Sequence, residues 1–575
     1  MGYPARMQTK IFFLTFDVFK DGYAKLPYSI ACLMTSIEAH LPTVGVAARS
    51  IDLSACRRGD PEETTRAVLK AAKKIVLDEC WDYSHLAIGV TAWSELYVKA
   101  LLRFLSQNYS GTVILGGYEI TALDDSTIVR EYPGAAFYVK GYAETALIKL
   151  LSGGYEGKKR PTVLQEAVSP SHLVSPYLHN SRLNARKVNW ETKRGCPFRC
   201  GFCEWGNASQ KKVIPLAWDR LEQELRVFRA NRVEKINVVD GTFNVNVKND
   251  SQAVAGYDRI LRSALELTDA HVNLQTRFEF VADEKEETLK FLEICTRHQD
   301  RVTLEFGLQT IHPLEMDIIG RKNDLDAVRI AMNLMNERDI DYEVSIIYGI
   351  PGQTVTSFLD TIEFIVENGC EKIEAYPLRI PKNSKMEQRK RELGVKEGPL
   401  DFNIFHTKAS FSFTEADHRA MSKFSSALRA LNKERSLFDL STDLSYLVFE
   451  LNQSGSFKLK EVTEHDRLYF NAPNEKLKDL ICGHEELVLS VLASREGKEV
   501  LDSVLGFLSD QTGWFPRLLG SLLEFLLGNA IWHYRDAEGN RYLCQVRISE
   551  KGNVYVFKDF LSIQARVGMV HQALF

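Results

Sequence analysis

"RGCPFRCGFCEWG", residues 194–206, places Cys196, Cys200 and Cys203 in one short loop of a chain that holds 10 cysteines in all. A structural zinc site takes four protein ligands, a catalytic one three and an open position. No fourth Cys or His lies at finger spacing here. A cubane iron–sulfur cluster takes thiolates, usually four, and three from one loop leave one iron open to bind something else. Zinc with a distant fourth ligand is the alternative.

Outward from the loop, "KVNWETKRGC" is followed by five more β-rich runs, "EKINVVDGTFN", "AHVNLQTRFEF", "VTLEFGLQT", "YEVSIIYGIPG" and "CEKIEAYPLRIP". Helix-like stretches such as "PLAWDRLEQELRVFRAN" and "EETLKFLEICTRH" separate them. Six such repeats predict a partial (β/α)6 TIM-type barrel over 187–395, with its chemistry at the carboxyl ends of the strands. The cysteine loop follows the first of them.

Upstream, "KIFFLTF", "TVGVAARSIDL", "YSHLAIGVTAW", "GTVILGG" and "AAFYVKG" alternate with helix-like "YSIACLMTSIEAHL", "PEETTRAVLKAAKKIVL" and "ELYVKALLRFLSQ". This predicts an α/β, flavodoxin-like (Rossmann-type) parallel-sheet domain over 1–150. Ligands of such sheets sit beyond the strands' carboxyl ends, which singles out Thr91 to Ser94, Gly116 to Glu119 and Gly141 to Glu144. Residues 151–186, rich in Gly, Ser, Pro and Lys, read as a linker. Residues 396–575 read as a mostly helical C-terminal region, opening on the capping-box-like "TEAD". Near its end two strands flank "DAEGN" as in a small winged helix.

The composition is that of a soluble globular protein. Lys plus Arg at 72 against Asp plus Glu at 76 leaves a net −4, with no global attraction for nucleic acid or anionic membrane. "IFFLTF" at 11–16 is too short for a signal-peptide core, and no stretch reaches the roughly 20 apolar residues that span a bilayer. A cytoplasmic location is expected, where clustered cysteines bind metal rather than form disulfides. Cys32, Cys56, Cys80, Cys295, Cys370, Cys482 and Cys544 are expected as small buried hydrophobes.

"CPFRCGFC" matches the CxxxCxxC signature, and this region resembles the radical S-adenosylmethionine superfamily. The resemblance implies a 4Fe-4S cluster on Cys196, Cys200 and Cys203, with S-adenosylmethionine chelating the fourth iron and cleaved to a 5′-deoxyadenosyl radical. It places Phe202 by the adenine. It assigns Asp240, Gly241 and Thr242 of "VVDGTFN" to the methionyl amino group, where the family more commonly has Gly-Gly-Glu. "EFGLQT" implicates Glu305, Gln309 and Thr310; "SIIYGIPGQT" implicates Gly349 to Gly352. Tyr348 and Tyr376, at strand ends, are candidates for substrate contact by position, or else core or rim tyrosines.

The first domain is similar to the cobalamin-binding domains fused ahead of such barrels, through "LPYSIACLMTSIEAHL", "GVTAW", "VILGGYEIT", "VKGYAE" and the linker "SPYL". That resemblance implies cobalamin at Thr91, Ser94, Gly116, Gly117, Tyr118, Glu119, Gly141 and Glu144. The glycines would let the backbone approach a bulky ligand, or merely close tight turns. The Asp-x-His-x-x-Gly motif is absent, and His85 reads as a core residue, so cobalt would lack a histidine. Trp93 and Tyr118 are candidates to face the corrin, or core aromatics.

With both cofactors the resemblance implies methyl transfer to an unactivated carbon or to phosphorus of a small molecule or peptide, through cob(I)alamin, methylcobalamin and a substrate radical. The protein's part is positioning and exclusion of water. An external donor of flavodoxin or ferredoxin type would supply electrons. Radical cyclisation or rearrangement without methylation is an alternative. A transfer-RNA methylthiotransferase is another, although Cys32, Cys56 and Cys80 do not fall at strand ends. A corrinoid or iron–sulfur sensor with a DNA-binding wing is a third. There Arg535, Arg541, Arg547 and Lys551 are offset by Asp536, Glu538 and Glu550, and nucleic acid is not an expected partner.

Overall fold

The protein is seen here in a computed structural model. It describes residues 9–434 except 59, 180–181, 208–212, 246–254, 284, 371 and 400–403, and beyond them the strands lying between 458 and 560. By contacts the chain divides into one unit of Met1–Gly307, Met316–Tyr342 and Leu378–Thr407, and a second of Leu308–Glu315, Glu343–Pro377 and Lys408–Phe575.

The first unit begins with a six-stranded parallel sheet. Its strands are β1 (Lys10–Asp17), β2 (Gly45–Asp52), β3 (His85–Gly89), β4 (Thr112–Gly116), β5 (Phe137–Lys140) and β6 (Thr162–Gln165), in the order β2-β1-β3-β4-β5-β6. "KIFFLTFD" is buried at every inner position, as befits a central strand covered on both faces. Helices Tyr28–His40 and Glu144–Leu151 supply buried residues to one core cluster, Pro61–Glu79 and Glu95–Asn108 to the other. Asp60 caps helix Pro61–Glu79 through the Glu63 amide, with Pro61 at the first helical position, the arrangement those residue types favour. The order reverses direction between β1 and β3, the switch point of flavodoxin-like sheets, as the alternation implied.

One expectation is corrected. The sheet runs past residue 150: β6 lies within the 151–186 span read as linker and pairs in parallel with β5, Tyr138 opposite Val163. "TVLQ" is four residues long and preceded by Pro161, too short to carry a period of its own.

Four strands of the second alternating region follow in the first unit, and two lie in the second. They are β7 (Lys187–Trp190), β10 (Lys235–Val238), β11 (His271–Thr276), β12 (Val302–Gln309), β13 (Tyr342–Tyr348) and β14 (Ile373–Pro377), with β8 (Lys193–Arg194) and β9 (Ile214–Pro215) forming a short antiparallel ribbon after β7. In the first unit β7, β10, β11 and β12 pair in parallel in that order. In the second, β13 pairs in parallel with β14. Helices Trp218–Ala230, Tyr257–Leu267, Glu286–Arg297, Leu325–Asn336 and Val355–Glu367 fill the intervals. The strand burial alternates, as in β11, where Val272, Leu274 and Thr276 are buried and His271, Asn273 and Gln275 are not.

Further along, helix Glu415–Glu434 starts on the expected cap: the Thr414 amide donates to Asp417 Oδ2 at 2.8 Å and the Asp417 amide to Thr414 Oγ1 at 3.3 Å. Strands Lys458–Val462, Arg467–Asn471, Val554–Phe560, Arg541–Ile548 and Ile531–Arg535 make an antiparallel sheet in that order. The last two flank "DAEGN" as expected, Arg535 opposite Arg541. The helices expected between 435 and 530, with Cys482, and the charges Asp536, Glu538, Glu550 and Lys551 lie outside the described residues. No helix among the described residues is long and apolar enough to cross a membrane.

Candidate cluster and cofactor site

The cysteine loop is anchored from below. Asp240, at the end of β10, is enclosed and accepts the Thr192 amide at 2.8 Å, the Lys193 amide at 3.2 Å and the Thr192 hydroxyl. The Lys193 ammonium lies 3.8 Å away. Burial raises the pKa of this carboxyl, and Lys193 and the three hydrogen bonds oppose that. Asp240 thus fastens the approach to the loop through this chain's own donors.

Gly241 has a different reason for being glycine. A Cβ there would stand 2.9 Å from Cys196 Cβ and 3.4 Å from its sulfur, so the loop packs directly on the bare backbone. The Thr242 hydroxyl donates to the Gly241 carbonyl at 2.6 Å and also reaches the Cys196 thiol. On the far side, the Gly201 amide donates to Ile319 O at 2.7 Å and the Cys203 amide to Cys200 O at 3.2 Å. The guanidinium of Arg277 lies 4.2 Å over the Phe198 ring, and Arg321 reaches the Cys200 thiol while bonding Gly307 O. Cys200 is buried, while Cys196, Phe202 and Cys203 are half-buried. Burial raises the Cys196 thiol, with Thr242 and Arg277 pulling the other way. A cubane spreads its three thiolates over three irons, whereas the ligands of a single ion must converge. Among the described residues no three His, Cys, Asp or Glu side chains converge in that way.

Glu305, on β12 in the first unit, accepts from Asn273 Nδ2 at 3.4 Å and Gln275 Nε2 at 3.3 Å. In the second unit, Gln309 adopts φ +71° and the Thr310 hydroxyl donates to Glu315 Oε2 at 2.5 Å. Gly349, at φ +81°, donates its amide to Gln353 Oε1 at 2.7 Å. Gln353 Nε2 donates in turn to Ile347 O at 3.0 Å and Glu315 Oε2 at 3.3 Å, and the Ser357 hydroxyl donates to Glu315 Oε1 at 2.6 Å. Burial raises the Glu315 carboxyl. The two turns are therefore tied together by Glu315 and Gln353, which sequence reading passed over although Gln353 lies within the quoted "SIIYGIPGQT". Tyr348 is buried and donates to Ser422 Oγ at 3.3 Å; Tyr376 is exposed.

At the carboxyl ends of the first sheet lies a cavity of about 360 Å³. Six of the eight residues expected there line it: Thr91, Gly116, Gly117, Tyr118, Gly141 and Glu144. Two do not. Ser94 is buried and locks the turn, accepting the Thr91 amide at 2.9 Å and donating to Gly89 O at 3.1 Å. Glu119 is buried in ion pairs with Arg379 and Lys382. Gly117 is glycine for a turn: it sits at φ +102°, and a Cβ would lie 2.5 Å from Val90 O. Gly89, unmarked in the sequence, is the open position, with nothing within 4 Å of an added Cβ. His85 sits on β3 with its ring beside Ser84 Oγ at 2.9 Å, and Trp93 Nε1 donates to Phe16 O at 2.7 Å.

The cavity wall also contains residues the sequence left unmarked: Tyr28, Cys32, Tyr142, Glu191, Arg194 and Trp205. Burial raises the Cys32 thiol to about 12. The hydroxyls of Tyr28 and Tyr142 are buried with no hydrogen-bond partner among the described residues. Arg194 forks onto Glu191 at 2.9 and 2.7 Å and also pairs with Glu144. Burial alone would lower its pKa; the two carboxylates more than reverse that. Trp205 stands two residues beyond Cys203, so one cavity wall is made by the helix that leaves the cysteine loop.

Residues 190–365 match the Radical SAM superfamily model. A cobalamin-dependent radical SAM methyltransferase, TokK, from Streptomyces tokunonensis is 28% identical over 204 residues, 34% of this chain and 28% of that one. The 2-(S-pantetheinyl)-carbapenam-3-carboxylate methyltransferase of Streptantibioticus cattleyicolor is 27% identical over 331 residues, 52% and 47% of the two chains. This chain thus spans less than half the length of these two relatives. Among solved structures, the cobalamin-dependent S-adenosylmethionine radical enzyme OxsB with aqua-cobalamin bound superposes with a TM-score of 0.53 at 13% identity, over 91% of this chain and 80% of that one. The match extends the fold likeness across both alternating regions. A radical SAM domain implies a 4Fe-4S cluster and S-adenosylmethionine. The three-cysteine signature thus lies in a stretch that matches the radical SAM superfamily, in a β/α barrel region behind a flavodoxin-like sheet.

Proposed function

We propose that this protein is a cobalamin-dependent radical SAM methyltransferase acting on an unactivated carbon, or on phosphorus, of a natural-product or peptide substrate. The carrying observation is the wall that Trp205 provides: the helix leaving the cysteine loop borders the cavity at the carboxyl ends of the first sheet. The two methyltransferase relatives support the reading.

The residues fit both cofactors. Cys196, Cys200 and Cys203 supply three thiolates on a loop pinned by Asp240, Gly241 and Gly201. The cavity offers an open backbone at Gly89 and two hydroxyls, of Tyr28 and Tyr142, without partners among the described residues. That suits a flat macrocycle bearing amide side chains. When bound, the cluster supplies the electron that cleaves S-adenosylmethionine and the corrinoid carries a methyl group. The chain's own part is placement. Arg194, held by Glu191 and Glu144, keeps a fixed positive charge at the cavity wall, and Ile30, Ala87, Ile114 and Leu147 keep much of the wall apolar. We infer an external electron donor of flavodoxin or ferredoxin type, a cytoplasmic location and no nucleic-acid partner.

The test is anaerobic expression in cobalamin-supplied cells, followed by assay of iron, sulfide and corrinoid per chain. About four irons and one corrinoid are expected, with S-adenosylhomocysteine and 5′-deoxyadenosine both formed on turnover. Four irons without corrinoid would remove the methyltransferase reading, and about eight would favour a methylthiotransferase.

A further inference from the structure

Three segments frame the cavity and the cysteine loop, and each carries a buried or half-buried carboxylate. Glu95 follows Ser94 at the turn after β3, Glu119 follows Tyr118 at the turn after β4, and Glu204 follows Cys203. Tyr118 and Trp205, next to Glu119 and Glu204, line the cavity itself, as does Thr91, whose carbonyl accepts the Glu95 amide at 2.9 Å. Two cations from the segment after β14 join the three acids. Arg379 pairs with Glu119 through one terminal nitrogen and with Glu204 through the other. Lys382 lies 3.0 Å from Glu119 and 2.5 Å from Glu95. The void left among these groups is about 20 Å³, close to the volume of a single water position.

We propose that Arg379 is a positioning residue that couples occupancy of the cavity to the geometry of the cysteine loop. A guanidinium presents a rigid planar fork, so its two carboxylate partners are fixed relative to each other. A ligand that moves Tyr118 moves Glu119 with it, and Arg379 passes that displacement to Glu204, one residue from a cluster ligand. Coupling of this kind is reciprocal: corrinoid changes the affinity for S-adenosylmethionine by the same factor as the reverse. The inference rests on the cofactor reading above.

The experiment uses the anaerobically reconstituted full chain. The dissociation constant for S-adenosylmethionine is measured with and without hydroxocobalamin, for the native protein, Arg379→Lys and Glu204→Gln. Lysine keeps the charge but offers one ammonium in place of a fork. Glutamine keeps the shape of Glu204 and leaves the Arg379–Glu119 pair standing, so at least this variant retains a paired buried cation. The native protein is expected to show a coupling factor of about fivefold or more. Both variants should fall to within about twofold of no coupling, while each cofactor bound alone changes affinity by less than about threefold. A purely structural role would lower both affinities and leave the coupling factor intact, which overturns the proposal. A native protein that binds corrinoid with no coupling also overturns it and spares the function; one that binds no corrinoid removes both.

Discussion

At the residue scale, the cysteines were legible because their spacing is itself the signal, and the residues that hold them were not. Asp240 and Gly241 were singled out through the family resemblance as ligand contacts, and what the sequence did not show is that both hold the loop: a buried carboxylate takes the nearest donors and a bare Cα admits Cys196. Arg379 was invisible because its partners lie 175 and 260 residues away in sequence. Replacing Cys196, Cys200 or Cys203 with Ala is expected to abolish 5′-deoxyadenosine formation, measured by chromatography. Gly241→Ala should lower iron and sulfide per chain with the far-ultraviolet circular dichroism unchanged, because the new methyl meets Cys196 rather than the sheet. A separate prediction concerns Asp17, whose carboxyl burial raises from 3.8 to about 6, with Thr15 and Trp93 opposing the rise. The unfolded chain loses this proton first, so stability falls as pH climbs from about 4 to 6 and stays reduced above that. Asp17→Asn should therefore raise the unfolding midpoint at pH 8, by an amount on the order of 1–3 kcal/mol, and have little effect at pH 4. A midpoint gain that persists at pH 4 would contradict this origin.

At the element scale, the first five strands of the flavodoxin-like sheet were readable because each is an apolar run between helical patterns. β6 was not, for four residues after a proline carry no pattern and their strand character comes from pairing with β5. Similar logic separates the glycines. Gly117 closes the turn from β4 into helix Tyr118–Ala122 against Val90, whereas Gly89 ends β3 over open space. Gly117→Ala is expected to cost about 2–3 kcal/mol of stability through strain at positive φ and the contact with Val90 O. Gly89→Leu should leave the unfolding midpoint nearly unchanged and weaken corrinoid binding at least tenfold, read by equilibrium dialysis. Equal effects of the two changes on binding and stability would show that the cavity is not where the ligand goes.

At the scale of the whole molecule, the two alternating patterns correctly announced a sheet domain followed by a barrel region, but they gave no hint of the charges buried in the first unit. Arg194 lies between Glu191 and Glu144, and Trp190 Nε1 donates to Glu224, which also holds Arg220. Charged residues read from sequence default to the surface, and only the assembled fold shows that these are enclosed. Removing one partner of such a cluster leaves uncompensated charge: Arg194→Met should lose about 3–5 kcal/mol, seen as a lower denaturation midpoint before any cofactor is added. A further tie is made by the backbone. The Lys187 amide donates to Gly22 O at 3.0 Å, and Tyr23 bridges Lys187 in parallel, so the loop after β1 covers the free margin of β7. A barrel cut away from its leading domain would bare that margin, and an unpaired strand edge recruits other chains. Expressed alone from residue 187, the barrel should therefore precipitate or form inclusion bodies, and a design that moves the barrel to another chain has to carry the loop after β1 with it.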